Sequence, residues 1–390
     1  MKTDDSAKAL PLAKACIDLN ALEHNFQQVA IQAPQSQIIS VIKANAYGHG
    51  LLAIAKALAD KSDYLAVARL HEAVFLREQG IEARILLLEG VTCFAELLIC
   101  QDKHITPVLH CAEQFQCLRL FWQQTQLTLP YWLKLDTGMH RLGFQETDFS
   151  ALMESLSQQN SPDYPQGIMS HFACADEPEK LKNQKQIDTF RQLNTYLSKM
   201  GQAEKINQSM ANSAAILAIP KSHFDSVRPG IMLYGISPFE GTITQDNKVR
   251  TGLDEHLLPV MTLSSQLIAI KRLKQGDCIG YGGTWCCPHD MSVGVVAIGY
   301  GDGYPRHAPT GTPVLIHNIE VPLVGRVSMD MISVDLSPLL EQGISPAIGD
   351  EVVLWGQGLP IEKISQKSGT IAYELLCQIS SRVCFNYKIK

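Results

Sequence analysis

The sequence predicts an α/β protein in two parts, an N-terminal (β/α)8 barrel of the TIM type and a C-terminal mainly-β domain. Three observations carry that expectation. From about Ile38 to Ser237 short β-rich runs alternate with helix-period segments, which implies a parallel sheet with helical crossovers. The runs number eight, the count at which such a sheet closes on itself. After roughly Glu240 the texture changes to strands separated by Gly, Pro, Asp and Asn turns. A length of 390 residues also favours two domains over one. The expected division is 12–250 for the barrel and 251–390 for the β-rich domain, with the boundary in the polar stretch Glu240–His256.

The barrel strands are read in order as "IISVIK", "YLAVA", "RILLLEG", "ITPVLH", "YWLKLD", "GIMSHF", "INQSM" and "SVRPGIMLYG". Between the first two, "GLLAIAKALADK" has helical character, and "RLHEAVFLREQG" ends at a Gly where a C-cap belongs. An open doubly wound sheet is the structural alternative. It is disfavoured because no GxGxxG follows the first strand. In the second part "LSSQLIAIKRL", "DCIGYGGTW", "SVGVVAIGYG", "TPVLIHN", "VPLVGRVSMDMISVDL" and "DEVVLWG" read as strands. Helix-period segments are few until "IEKISQKSG" and "AYELLCQIS" near the end.

Composition narrows the function classes. The chain is 46% hydrophobic and 18% charged, with a formal net charge of −6. Mild acidity without a basic run argues against nucleic acid as a partner. No apolar run is long enough to span a bilayer, and Met1–Cys16 lacks the apolar core of a signal peptide. The eleven cysteines are odd in number, irregular in spacing and without a CxxC pair. Reduced thiols in a cytoplasm are therefore expected, with Cys286 and Cys287 packing or lying at the surface. The twelve histidines show no ligand-like spacing, and no catalytic metal is expected.

Barrel enzymes place reactive groups at the C-terminal ends of strands. That rule selects Lys43 after "IISVI", Lys134 and Asp136 in "YWLKLD" with Arg141 in the following loop, and His171 in "GIMSHF". It also selects Asn212 and Ser213 after the seventh strand, and Arg228 with Gly230 after the eighth. Lys43 alone is open to two readings. It is a lysine whose stem snorkels from a strand end, or a Schiff-base lysine whose pKa burial depresses. Loops after strands seven and eight frequently bind phosphate in barrels. Ser213 offers a hydroxyl there, and Gly230 lets backbone N–H groups approach an anion. Taken together, these positions point to a phosphorylated cofactor.

The motifs "VIKANAYGHG", "KLDTGMHRLGF", "MSHFACADE", "ANSAA", "VRPGI", "GYGGTW", "AIGYGDGYPR", "VGRVSMDM" and "YELLCQISSRV" resemble, in order and over nearly the whole chain, the motif series of the alanine racemase family. The resemblance implies pyridoxal 5'-phosphate as cofactor, held by Lys43 through a Schiff base. It implies a head-to-tail homodimer in which Tyr281 of one subunit enters the other's site as the second of two bases. By the same resemblance His171 hydrogen-bonds Tyr281, with Arg228 beyond it facing the pyridine nitrogen. Tyr47, Ser213, Gly230, Ile231 and Tyr373 match phosphate-binding positions, with Asn212 beside them. Arg141 matches the residue that binds the ring hydroxyl and the substrate carboxylate, and Lys134 a lysine often carbamylated and paired with it. Met329 and Asp330 match positions near the substrate carboxylate. Asp176, Tyr300, Arg306 and Arg326 match the polar lining of a substrate corridor. The implied activity interconverts L- and D-alanine and supplies D-alanine for peptidoglycan.

Three rivals are weaker. A fold-related amino-acid decarboxylase would place a carboxylate opposite the pyridine nitrogen, where Arg228 stands, and a catalytic cysteine where the Tyr281 motif stands. A broad-specificity racemase of Lys or Arg is typically exported, and a pocket narrowed by Tyr281, Tyr373 and Met329 suits a methyl group. Discrimination by bulk is modest, so serine is expected as a slow substrate. A non-catalytic cofactor carrier would lack the second domain.

Overall fold

The described residues open with a strand that the barrel does not use. In the computed structural model, which describes residues 12–156, 164–199, 205–239, 241–244 and 246–388, β1 (Lys14–Asp18) lies in the sheet of the C-terminal part. It pairs antiparallel with Met261–Leu273 and parallel with Cys384–Lys388. The N-terminal stretch through Pro11 and the boundary residue Glu240 lie outside the described residues.

The expected barrel is present. The strands β2 (Gln37–Val41), β3 (Tyr64–Val67), β4 (Ile85–Leu87), β5 (Ile105–Leu109), β6 (Trp132–Lys134), β7 (Gly167–Met169), β8 (Asn207–Asn212) and β9 (Ser226–Arg228) form a closed parallel barrel. Closure is made by β9 on β2, with Gln37 opposite Ser226 and Ile38 opposite Val227. Every residue of β3, β4 and β5 is buried. That is why these strands read as continuous apolar runs rather than alternating ones: a parallel sheet is covered on both faces.

The second part is built mainly of strands, as expected. β10 (Met261–Leu273), β11 (Cys278–Ile279), β12 (Trp285–Cys286), β13 (Met291–Val296), β14 (Pro313–Ile316), β15 (Ile319–Pro322), β16 (Ile332–Asp335), β17 (Glu351–Trp355) and β18 (Cys384–Lys388) follow in sequence. The main sheet runs β15-β14-β17-β10-β1-β18, with β13 and β16 attached through β10. β11 and β12 form a separate two-stranded hairpin. The long β10 serves both groups because its register shifts twice, between Leu263 and Ser264 and between Leu267 and Ala269. Such shifts re-aim a strand.

Buried polar contacts tie the parts together. The Glu362 carboxylate accepts the N–H groups of Ser237 at 3.0 Å and Gly252 at 2.8 Å. Asn25 bonds Leu233 O and both backbone groups of Leu258. The Tyr387 hydroxyl donates to His49 O at 3.2 Å. The helix Ala372–Cys377 packs against the turn that follows Lys43. Among the described residues no helix is long and apolar enough to cross a membrane.

Candidate active site

At the C-terminal end of the barrel lies a cavity of about 620 Å³, onto which Lys43, Lys134, Arg141, His171 and Arg228 open. Lys43 sits where β2 ends and a left-handed turn begins, with Ala44, Asn45, Ala46 and Tyr47 all near φ +54. L-residues avoid this region at roughly 1–2 kcal/mol each, so the turn needs outside support. Ala44 N–H donates to the buried Glu72 carboxylate at 2.7 Å, and the same carboxylate accepts from Ala68 and Arg69 N–H. Asn45 Oδ1 accepts from Leu51 N–H at 2.8 Å. His49 Nδ1 faces the carbonyls of Ala46 and Tyr47, so the proton sits on Nδ1. Burial lowers that histidine to about 4 and keeps it neutral. The turn carries Tyr47 into the cavity wall, buried against Tyr234 and 6.0 Å from the Tyr373 ring.

Opposite Tyr47, β8 and β9 deliver the remaining phosphate-site candidates. Asn212 caps the short helix Ser213–Ala218 through Ala215 N–H. Ser213 Oγ accepts from Gly230 N–H at 2.9 Å and Met232 N–H at 3.3 Å, leaving its own proton to donate. A Cβ on Gly230 would fall 2.5 Å from the Tyr47 hydroxyl, so only glycine fits between that tyrosine and the cavity.

Arg228 ends β9 and is 5% exposed. Nη1 donates to Ser209 Oγ at 2.7 Å, and Nη2 to the carbonyls of Ser170 and Met210. Nη2 also lies 3.4 Å from His171 Nδ1. An arginine only donates, so this contact places the His171 proton on Nε2. Nε makes no hydrogen bond among the described residues and remains available as a donor. Burial lowers Arg228 to about 10, which leaves it protonated at neutral pH.

The loop after β6 is shaped by Asp136, which accepts from Gly138 and His140 N–H at 3.0 Å. It turns back so that Phe144 N–H reaches Lys134 O, and Arg141 faces the cavity. Lys134 is lowered to about 8 by burial, then by Arg228, Arg141 and Lys43. Lys43 is lowered by burial and Arg141, opposed by Glu89 and Glu72. His171 is held well below its usual range by burial and the same cations, hence neutral. The cavity is therefore rich in basic groups, two of them lysines with lowered pKa, with Glu89 and Asp176 also on its wall.

Asp176, Ile231 and Tyr373 complete the expected residues on this wall. The other six are not brought here by the chain itself. Tyr281, Tyr300, Arg306, Arg326, Met329 and Asp330 do not line the cavity. Tyr281 is 68% exposed at the tip of the β11–β12 hairpin, with Arg326 beside Gly282 at its flank. Met329 and Tyr300 are also exposed and share a turn through Gly301 N–H to Met329 O. Arg382 fixes that turn by bonding Asp330 at 2.7 Å and Asp302 at 3.1 Å.

Some residues escaped the sequence reasoning. Glu89 ends the β4 run and lines the cavity, so the strand-end rule could have found it. Glu72, on a helix, and Cys377, the last residue of the helix Ala372–Cys377, gave no such signal. One expectation is corrected. Cys278 and Cys286 are not free thiols but a disulfide, with Cα atoms 3.9 Å apart. A search for CxxC spacing misses it because the hairpin turn brings together residues eight apart. Cys287 is free and buried, as expected. Among the described residues no group of three or more His, Cys, Asp or Glu is placed to hold a metal ion.

Comparison with known proteins follows the same two parts. Residues 17–238 match the family model described as alanine racemase, N-terminal domain, and residues 260–387 the one for its C-terminal domain. The chain belongs to the alanine racemase family. It is 47% identical to alanine racemase of Aeromonas hydrophila over 377 residues, covering 96% of this chain and 99% of that protein. It is 45% identical to that of Coxiella burnetii over 96% of this chain and 98% of the relative. The crystal structure of biosynthetic alanine racemase from Pseudomonas aeruginosa superposes with a TM-score of 0.87 at 39% identity, covering 97% of this chain and all of that one. A Bartonella henselae alanine racemase with covalently bound pyridoxal phosphate superposes at 0.84 with 29% identity, over 97% and 99% of the two chains. By family, this chain is an amino-acid racemase.

Proposed function

We propose that the protein interconverts L- and D-alanine with pyridoxal 5'-phosphate, using Lys43 and the Tyr281 of a second copy as the two bases. The observation that carries this reading is the division of the chemistry: a complete cationic cavity around Lys43, and a base candidate presented outward on a separate hairpin. Racemisation needs proton transfer on both faces of one carbon. A side chain that cannot reach the cavity from its own chain supplies the second face from a neighbour, hence the homodimer.

The residues present fit the cofactor. A dianionic phosphate finds the Tyr47 and Ser213 hydroxyls, Tyr373 and the opening that Gly230 leaves. Arg228 presents a spare Nε donor suited to a ring nitrogen that stays unprotonated. Pyridoxal phosphate, when bound, supplies an electron-withdrawing ring that acidifies the Cα proton of an attached amino acid. Burial and Arg141 favour the neutral amine of Lys43, the form that adds to an aldehyde and takes a proton. Arg141 binds the substrate carboxylate, with Met329 and Asp330 of the partner's turn closing over it. Neutral His171, with its proton on Nε2 and Arg228 behind it, orients the incoming phenol.

Carbamylation of Lys134 would convert a cation into an anion beside Arg141. Its lowered pKa makes the reactive free amine accessible near neutral pH. Asp176 would meet Tyr300, Arg306 and Arg326 of the partner along the access route. The role proposed is supply of D-alanine for peptidoglycan in the cytoplasm, the supply role being supported by the biosynthetic designation of the Pseudomonas relative. The test gives cofactor-loaded protein L-alanine and D-alanine separately. Convergence of both on a near-equal mixture is expected; silence with alanine and turnover of lysine, arginine or serine would replace the substrate assignment.

A further inference from the structure

We propose that Cys278 and Cys286 are positioning residues for Tyr281, a thiol–disulfide couple whose oxidised state holds the base-bearing hairpin in shape. The inference rests on the reading of Tyr281 as the second base.

Apart from the bridge, the hairpin is held by a short ladder, by Gly276 N–H to Cys287 O at 2.9 Å and by Cys287 N–H to Asp277 O at 2.8 Å. β11 and β12 share two residue pairs, Cys278 with Cys286 and Ile279 with Trp285. An isolated two-stranded hairpin is marginal in water even when longer. The segment Tyr281–Gly283 has no buried residue. Gly280, Gly282 and Gly283 all adopt positive φ, at 71, 75 and 53°. Glycines there make the turn possible, but they also carry the largest entropy loss on ordering. Underneath lies a small apolar cluster of Ile279, Cys287, Met291, Val293 and Val324, separate from the main core. Tyr281 thus stands on a short, glycine-rich arch with a foundation of its own.

The disulfide joins the two feet of that arch. Tying chain ends together removes open conformations from the ensemble, and here those are conformations in which the phenol leaves the geometry a proton transfer requires. In the single chain both bridging cysteines are exposed while Cys287 is buried. Reduction takes two electrons from a dithiol. One reagent thiolate attacks a cysteine sulfur, the S–S bond breaks, and the other cysteine leaves as a thiolate that takes up a proton. The second reagent thiol then closes the reagent's own disulfide and releases the first cysteine. Oxidation runs in reverse with glutathione disulfide as electron acceptor.

The experiment compares holoenzyme oxidised with glutathione disulfide and holoenzyme reduced with dithiothreitol and desalted, with thiols counted by alkylation and mass. Reduction is expected to lower kcat about three- to tenfold while KM changes by less than about twofold. With α-deuterated alanine the primary isotope effect should rise in the direction in which Tyr281 takes the proton, and not in the other. The Cys278→Ser, Cys286→Ser double variant should show the reduced kcat and no response to redox state. Equal kcat in the two wild-type states, with the change in thiol count confirmed, overturns the proposal whether or not the variant folds. Failure of the Cys278–Cys286 bond to form under glutathione disulfide overturns it too. Tyr281→Phe separates the two levels: an active variant sinks the base assignment itself, whereas an inactive variant with a redox-insensitive wild type sinks only the positioning role.

Discussion

The barrel cavity and the β11–β12 hairpin differ in almost every physical respect. Around Lys43 the groups are buried, mutually hydrogen-bonded and shifted in pKa by one another. Around Tyr281 they are exposed and glycine-flanked, on a hairpin that one internal disulfide closes and a minor apolar cluster supports. One half of the chemistry is pre-organised within the chain, and the other half is presented for use elsewhere. The contrast teaches that exposure of a large side chain can be a structural statement about a partner.

Removing each half separately is the strongest way to break that comparison. Lys43→Ala should abolish racemisation, a loss of at least about 10⁴-fold in kcat, and remove covalent cofactor attachment. Tyr281→Phe should cost about 10²–10⁴-fold in kcat while leaving cofactor affinity unchanged, since the cavity is complete without it. Cofactor loss in the second variant, read by absorbance after gel filtration, would contradict the independence of the halves.

A smaller effect probes what shapes the cavity. Glu72→Gln puts an amide before three backbone N–H donors. It should cost roughly 1–3 kcal/mol of stability in urea unfolding and weaken cofactor binding, because one of the two acceptor oxygens that the three donors share becomes an NH2 donor. The hairpin should be untouched, with the same thiol count at Cys278 and Cys286.

The smallest effect is electrostatic. Lys134 has a folded-state pKa lowered to about 8, against about 10.4 for an unfolded lysine. Between those values the unfolded chain binds more protons, so the Lys134 contribution to stability rises with pH. The stability of wild-type apoenzyme relative to Lys134→Met should therefore climb between about pH 8 and 10.4 and be flat below. A flat difference throughout would contradict the lowered pKa, unless Lys134 is already carbamylated and so does not titrate there. Intact mass without acid would confirm it.

The sequence made the barrel legible because each of its strands is a short apolar run followed by a helix. The strand-end rule alone found Lys43, Lys134, His171, Asn212, Ser213 and Arg228, all of which line the cavity. What it missed is non-local. β1 was not separable from the barrel region because its register partners, such as Ser264 for Lys14, lie some 250 residues away. The left-handed turn at Ala44–Tyr47 contradicts the helix propensity of its alanines, and its tertiary support, such as the Ala44 N–H bond to Glu72, comes from residues distant in sequence. The Cys278–Cys286 bridge depended on a turn geometry that spacing rules do not encode. Glu72 looked like any polar residue on a helix face.

The central claim, that one working site draws on two copies of the chain, is tested most directly by mixing inactive Lys43→Ala and Tyr281→Phe subunits under conditions of subunit exchange. In a symmetric dimer each hybrid holds one intact site, so a random equal mixture should recover about a quarter of wild-type activity. No recovery, with hybrid dimers confirmed by native mass spectrometry, would contradict it.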